Sequence, residues 1–175
     1  MARNSRRVRA ALESTADALE FAAVQAEVGA WRWVAIAASI GLQGALVAAL
    51  SGYDTAQPDA VRHPDPGEDA ARVATVQTLL RRAGSRDYLD DPERLAGLTQ
   101  AKRQALDLIA LRNRAVHVDL TDSPLDLAQV PSRLVGVSRL LRHLILDHPA
   151  FPAEAADRCP QRIDRALTRL NATIC

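Results

Sequence analysis

The residues best suited to chemistry in this 175-residue chain stand together in Leu111-Arg112-Asn113-Arg114-Ala115-Val116-His117. Histidine is the side chain that titrates near neutrality, and an adjacent arginine cation lowers its pKa, keeping the imidazole neutral and able to act as a base. Arginine is permanently cationic and holds phosphate oxygens bidentately, while asparagine orients a neighbour by accepting and donating hydrogen bonds. On an α-helix Asn113 and His117 project from one side about 40° apart, with Arg112 about 140° round from His117. The trio suits proton abstraction next to a phosphate. Asn113 also falls near the apolar stripe of Ile109 and Val116, and Arg, Asn and His are each costly to bury unpaired. Two arrangements satisfy them: a buried polar network reaching Glu27 or Gln43, which fixes helix register and does no chemistry, or an exposed cleft.

A second stretch, Arg142-His143-Leu144-Ile145-Leu146-Asp147-His148, has the same order of residue types. His143 and His148 also read as charges placed beside the negative end of a helix macrodipole. Arg158, Arg162, Arg165 and Arg169 recur at spacings of four, three and four, and Arg3, Arg6, Arg7 and Arg9 precede the first acid, Glu13. Either run is a local basic patch for a nucleic-acid backbone or a solvated face. The formal charge of +1 provides no global field for nucleic acid. Lys102 is the only lysine.

Other reaction classes leave no signature. There is no Gly-rich phosphate loop after a strand, no Gly-x-Ser-x-Gly elbow, no His-Glu-x-x-His and no Cys-x-x-Cys. Cys159 and Cys175 form neither a ligand cluster nor a disulfide framework, so no metal and no cofactor is expected and the chain fits a reducing cytoplasm.

The elements that must position these residues read as helices. With 48% hydrophobic residues, 25% charged and two each of Phe, Trp and Tyr, the core must be Leu, Val, Ile and Ala on closely approaching helices. In residues 5–28 Val8, Leu12, Leu19, Ala23 and Val24 recur at helical spacing. Residues 33–53 carry no charge, and Ala37, Gly41, Ala45 and Ala49 make a small-residue ridge that lets another helix approach closely. That segment is long enough to span a bilayer, but it is solitary, rich in Ala, Gly and Ser and interrupted by Gln43, so we read it as a buried central helix and expect no membrane partner. No apolar h-region of a signal peptide follows the N-terminal arginines.

Pro58, Pro64 and Pro66 with several Asp make 54–67 an acidic loop, with His63 a loop residue. A helix is expected over 68–83, with Ala71, Val76, Leu79 and Leu80 inward and Gly84 ending it, then a turn at 88–92. Over 95–117 Leu98, Ala105, Leu106, Ile109 and Val116 are expected to share a face, and 121–124 break the helix. A further helix carries Leu134, Val137, Leu140, Leu141 and Leu144 after Pro131. A last one runs from Pro152 to about 172, with Ile163, Ala166, Leu167 and Leu170 inward and Pro160 either a kink or a first turn. Trp31 and Trp33 read as core or dimer anchors. The expected fold is all-α: a single-domain up-and-down bundle of five to six helices in all, with 1–150 the body of the bundle and 151–175 its C-terminal amphipathic helix packed on the same domain.

Arg112-Asn113-x3-His117, late in a helical-bundle chain, resembles the Arg-x4–6-His motif of the HEPN superfamily, and Glu27-x3-Trp31-Arg32-Trp33 leading into an apolar helix with Gln43-Gly44 is similar to uncharacterised bacterial HEPN-like proteins. The resemblance covers about residues 5 to 148. It implies a compact homodimer and a metal-independent endoribonuclease of toxin, defence or RNA-processing type. Arg112, Asn113 and His117 would be catalytic, and Arg114 with Arg162, Arg165 and Arg169 would bind RNA. An antitoxin or other protein partner is implied as well, although Val118 and Asp119 stand where members silenced by nucleotidylation carry a Tyr two residues after the His. The alternative is a non-catalytic HEPN-like dimer that binds RNA, a nucleotide or a protein.

Overall fold

A computed structural model describes residues 2–52, 60–62, 73–85, 87–88, 95, 97–116 and 125–174, with the side chains of 2–4 outside the description. The described part is an all-α bundle: α1 Ala2–Glu27, α2 Trp31–Gly52, α3 Val76–Ala83, α4 Thr99–Val116, α5 Val130–Arg142, α6 Ala153–Ala156 and α7 Cys159–Ile174. No strand occurs among the described residues, only one isolated antiparallel bridge between Arg62 and Val73.

Helix α1 is uninterrupted because it contains neither Gly nor Pro, and it stops where Gly29 takes a left-handed φ of 71°. The amide of Gly29 donates to Ala26 O and that of Ala30 to Gln25 O, the paired bonds of a Schellman cap. α2 starts one residue later, so the two longest helices form a tight antiparallel hairpin. Their close approach depends on the small-residue ridge: Gly44 lies against Thr15 and Ala11 O, and Gly41 against Leu19. Thr15 Oγ1, fully buried, donates to Ala11 O at 2.8 Å within its own helix and reaches Gly41 O at 3.3 Å.

The central-helix expectation for 33–53 holds in position and burial. Among the described residues α2 is the helix long and apolar enough to cross a membrane, and most of that apolar stretch is buried inside the protein. It is flanked by α1, α3, α4 and α5. Two more contacts use missing side chains: Gly136 of α5 lets α5 rest on Gln104 and Ala101 of α4, and Gly52 admits Ala150 and Phe151 beside the end of α2.

Several expectations need correction. Residues 73–75 are not helical: Ala74 N–H donates to Val61 O, and α3 begins only at Val76, capped by Thr75, whose hydroxyl accepts from Thr78 N–H. A β-branched pair around Ala74 and a good N-cap explain the late start. Gly84 does end α3, its amide donating to Leu80 O and Arg81 O. On α4 the buried face is Ala101, Ala105, Leu108 and Leu111, whereas Leu106 and Val116 are exposed. The face turns because α4 is wedged between α2 and α5 and buries the side that both can cover. Val24 is 46% exposed and Trp33 53%, so neither belongs to the core, while Trp31 packs against it. The expected C-terminal helix is two, α6 and α7, separated by Asp157 at a positive φ of 48°. Pro160 falls in the first turn of α7, where its missing N–H leaves no bond unmade.

Ile163, Ala166, Leu167 and Leu170 are buried as expected, and α7 packs on α1 and α5. The turn at 89–92, the break at 121–124, Ala71, His63 and the acidic loop apart from 60–62 lie outside the described residues. The short return segment 60–62 is held by Arg82 of α3. This arginine is only 8% exposed, and its Nη1 donates to Ala60 O at 2.9 Å and Arg62 O at 2.7 Å. Its guanidinium also stands 5.5 Å from the ring centre of Tyr88, within cation–π range.

Candidate functional site

Three helices meet at an open cleft of about 330 Å³, lined by Ser39, Ile40 and Gln43 of α2, Val73, Thr75 and Val76 at the start of α3, and Ile109, Arg112 and Asn113 of α4. The face of α2 that looks onto it is the one α1 does not cover. Gln43, the lone amide in the uncharged segment, is turned to this side, and its Nε2 donates to Ala74 O at 3.3 Å. That bond ties the α2 wall to the segment leading into α3 and leaves Gln43 Oε1 without a partner among the described residues. Ser39 Oγ is engaged with Ala35 O at 2.8 Å. Because Thr75 and Val76 line the opening, the positive end of the α3 dipole lies there too.

Arg112 and Asn113 therefore share a cleft wall, and they touch: Arg112 Nη1 donates to Asn113 Oδ1 at 2.9 Å. Asn113 is exposed and Arg112 half-buried. Arg112 Nε is buried without a partner among the described residues. Of the two arrangements open to these polar side chains, the structure has the cleft for Arg112 and Asn113. Glu27, named as a partner for a buried network, is instead bound by Arg169, with Nη2 donating to Oε1 at 2.7 Å. Asn113 accepts from its neighbour with its carbonyl, so its amide N–H groups remain available to a ligand. Arg114 is exposed on the same last turn of α4. His117 follows directly after the last residue of α4 and lies outside the described residues.

The competing Arg142…His148 stretch is built differently. Residues His143–Asp147 form a π-helical turn closed by His148 N–H donating to His143 O, and the two imidazoles lie 4.7 Å apart between centroids. Arg142 is occupied by acids, with Nη1 to Asp164 Oδ1 at 3.0 Å and Nε to Asp147 Oδ1 at 3.8 Å. A cation already neutralised by two carboxylates is a weaker phosphate clamp than one that lines an open cleft with no acid beside it among the lining residues.

The arginine stripe of α7 is likewise drawn toward acids, those of α1. Arg162 is bidentate on Glu20, Nε to Oε1 at 2.9 Å and Nη2 to Oε2 at 2.7 Å, and also reaches Asp17 at 2.7 Å. Hydrogen bonding from Arg162 holds the Glu20 carboxyl below its usual pKa, and Glu20 and Asp17 in turn raise that of Arg162. Arg165 is exposed, with Nε on Gln161 O at 3.2 Å. Of the three stripe residues assigned to nucleic acid, then, Arg162 and Arg169 serve to fasten α7 to α1. The sequence shows both the acids and the arginines but not that the two helices lie side by side.

Among the described residues no group of three His, Cys, Asp or Glu side chains is gathered as a metal site. Cys159 is a buried free thiol whose pKa is raised by burial, the setting of an inert cysteine. No protein-family model matches this sequence, and comparison with curated proteins and with solved structures finds no match.

Proposed function

We propose that this helical bundle is a HEPN-like, metal-independent endoribonuclease acting in the cytoplasm as a homodimer, with toxin or defence work as its setting and an antitoxin-type protein as a partner. The observation that carries the reading is the cleft wall on which Arg112 and Asn113 stand side by side, one buried guanidinium nitrogen unmatched. In this mechanism Arg112 clamps the scissile phosphate and stabilises the charge that builds on it. His117 accepts the proton of the adjacent 2′-hydroxyl. The 2′-oxygen bonds to phosphorus, the bond from phosphorus to the 5′-oxygen breaks, and the departing oxygen takes a proton from solvent. The products are a 2′,3′-cyclic phosphate and a 5′-hydroxyl. Asn113 orients the phosphate through its amide N–H groups.

The homodimer draws support from large apolar side chains left exposed on α2 and α4 away from the cleft lining, Trp33, Leu106 and Val116. The same side chains favour the second reading, a non-catalytic dimer that binds RNA, a nucleotide or a protein, because a binding surface needs no base. Cleavage of a mixed RNA pool in EDTA, beside a folded His117→Ala control, separates the two. Loss of cleavage in the variant supports the ribonuclease, and absence of cleavage by both proteins overturns it.

A further inference from the structure

The cleft contains more than a phosphate clamp requires. Beside Arg112 and Asn113 stands Ile109 of the same helix, the α2 and α3 walls add the apolar side chains of Ile40 and Val73, and Gln43 of α2 has an amide oxygen without a partner among the described residues. Ile40 and Val73 are 42% and 43% exposed, an unusual condition for large aliphatic side chains grouped at the mouth of a concave site. At about 330 Å³ the space lies at the small end of the roughly 300–1,000 Å³ typical of small-ligand clefts. That is room for one compact ligand and too little for a peptide helix.

We infer that the cleft is a subsite for a single nucleoside monophosphate unit, its phosphate held by Arg112 and Asn113, its base laid against Ile40 and Val73 and read on its polar edge by Gln43. The inference rests on the reading that RNA enters this cleft, and adds which residues choose the base. The chemistry of the walls selects this class of ligand. A permanent cation and amide donors favour an anion at one end. An aliphatic wall buries the face of a flat ring, and a primary amide matches the paired donor and acceptor on a base edge. Inorganic phosphate would use only the first of these. Gln43 is a specificity-determining residue in this arrangement; its anchor to Ala74 O fixes the amide plane, so its acceptor is presented in one orientation.

The test is titration of the purified protein with inorganic phosphate and with each of the four nucleoside 5′-monophosphates, followed by NMR or calorimetry, alongside the RNA-pool assay on the same preparation. At least one nucleotide should bind about tenfold more tightly than phosphate. Ile40→Ser, at a position 42% exposed, removes the apolar wall without adding a charge and should bring nucleotide affinity down to that of phosphate, with thermal unfolding of the variant checking the fold. Gln43→Leu should change the order of preference among the four bases. Equal affinity for phosphate and all four nucleotides, or an unchanged order in Gln43→Leu, overturns the subsite. Nucleotide binding without RNA cleavage sustains the subsite while overturning the ribonuclease; RNA cleavage without nucleotide preference does the reverse.

Discussion

Arg162 grips Glu20 with two parallel hydrogen bonds, Nε to Oε1 at 2.9 Å and Nη2 to Oε2 at 2.7 Å, joining residues 142 positions apart. This fork fastens the last helix to the first. It is half in solvent, so its contribution is modest even with Asp17 added to the pair. Because Arg162 lowers the Glu20 pKa, the stabilisation is fully present above the unfolded carboxyl value of about 4.3 and is lost as pH falls through the lower folded value. Glu20→Gln should therefore cost about 0.5–1 kcal/mol at pH 7. The gap between wild type and variant in urea midpoint should close on acidification below about pH 4. A gap that persists undiminished at low pH would show that packing, and not the ion pair, is what Glu20 supplies.

Gly44 marks the tightest point of the α1–α2 hairpin. A methyl group there would fall on Thr15 Oγ1 and 2.9 Å from Ala11 O, a backbone atom that has little room to move. Gly44→Ala should destabilise the protein by about 1–3 kcal/mol, as overpacking of a filled core does, even though alanine is the better helix former. Gly41→Ala, which meets Leu19 Cγ and Cδ2 at 3.1 Å and Thr15 O at an ordinary 3.7 Å, is the milder comparison. Chemical denaturation of the two variants side by side checks the order, and equal stability would mean the hairpin can open without penalty.

The same comparison shows what was legible in the sequence. The all-α class, the long first helix, the buried uncharged second helix and the inward face of α7 follow from periodicity, because a helix with one apolar stripe has one way to sit. The buried face of α4 did not follow: two neighbours cover it from different sides, and Leu106 and Val116 were left outside. The start of α3 was missed since Thr75 lies inside a run that reads as helical, and only the pairing of Ala74 with Val61 shows that the chain is still extended there. For the candidate site, Arg112 and Asn113 stood out by type and spacing. In the sequence Gln43 reads as an interruption of an apolar segment, as one partner for a buried network and as part of the Gln43-Gly44 pair of the resemblance, with no sign that it lines a cleft. That it forms part of the cleft wall depends on the packing of α2, α3 and α4, which is a tertiary fact. The pairing of Arg162 and Arg169 with α1 acids is tertiary in the same way.

Arg82 is the interior cation on which the return segment hangs. Its Nη1 serves two backbone carbonyls, Ala60 O and Arg62 O, and hydrogen bonds from a charged donor contribute about 1.5–3 kcal/mol each. Arg82→Met keeps the aliphatic length and removes the donors, leaving those carbonyls unmatched. The variant should lose about 2–4 kcal/mol of stability and be cut faster by protease around residues 60–62. Since Val73 and Thr75 line the cleft and Ala74 pairs with Val61, the loosening should weaken ligand binding at Arg112 as well, although Arg82 does not line that cleft.

Arg112→Lys tests whether the guanidinium works by shape or by charge alone. Lysine keeps the cation, but it is a point charge on a flexible stem and cannot hold two phosphate oxygens in one plane while also donating sideways to Asn113. Under the proposed ribonuclease mechanism the substitution should lower kcat by about 10²-fold, the loss typical of removing one positioned donor from a developing oxyanion, with a smaller change in KM. Arg112→Ala should be lower still. Stability should hardly move in either case, because Arg112 bonds among the described residues only to its exposed neighbour Asn113. Cleavage in EDTA measured with thermal unfolding on the same samples decides it. If lysine restores full turnover, the residue supplies field and not geometry; if both variants unfold, Arg112 is part of the scaffold and the cleft wall has a structural purpose instead.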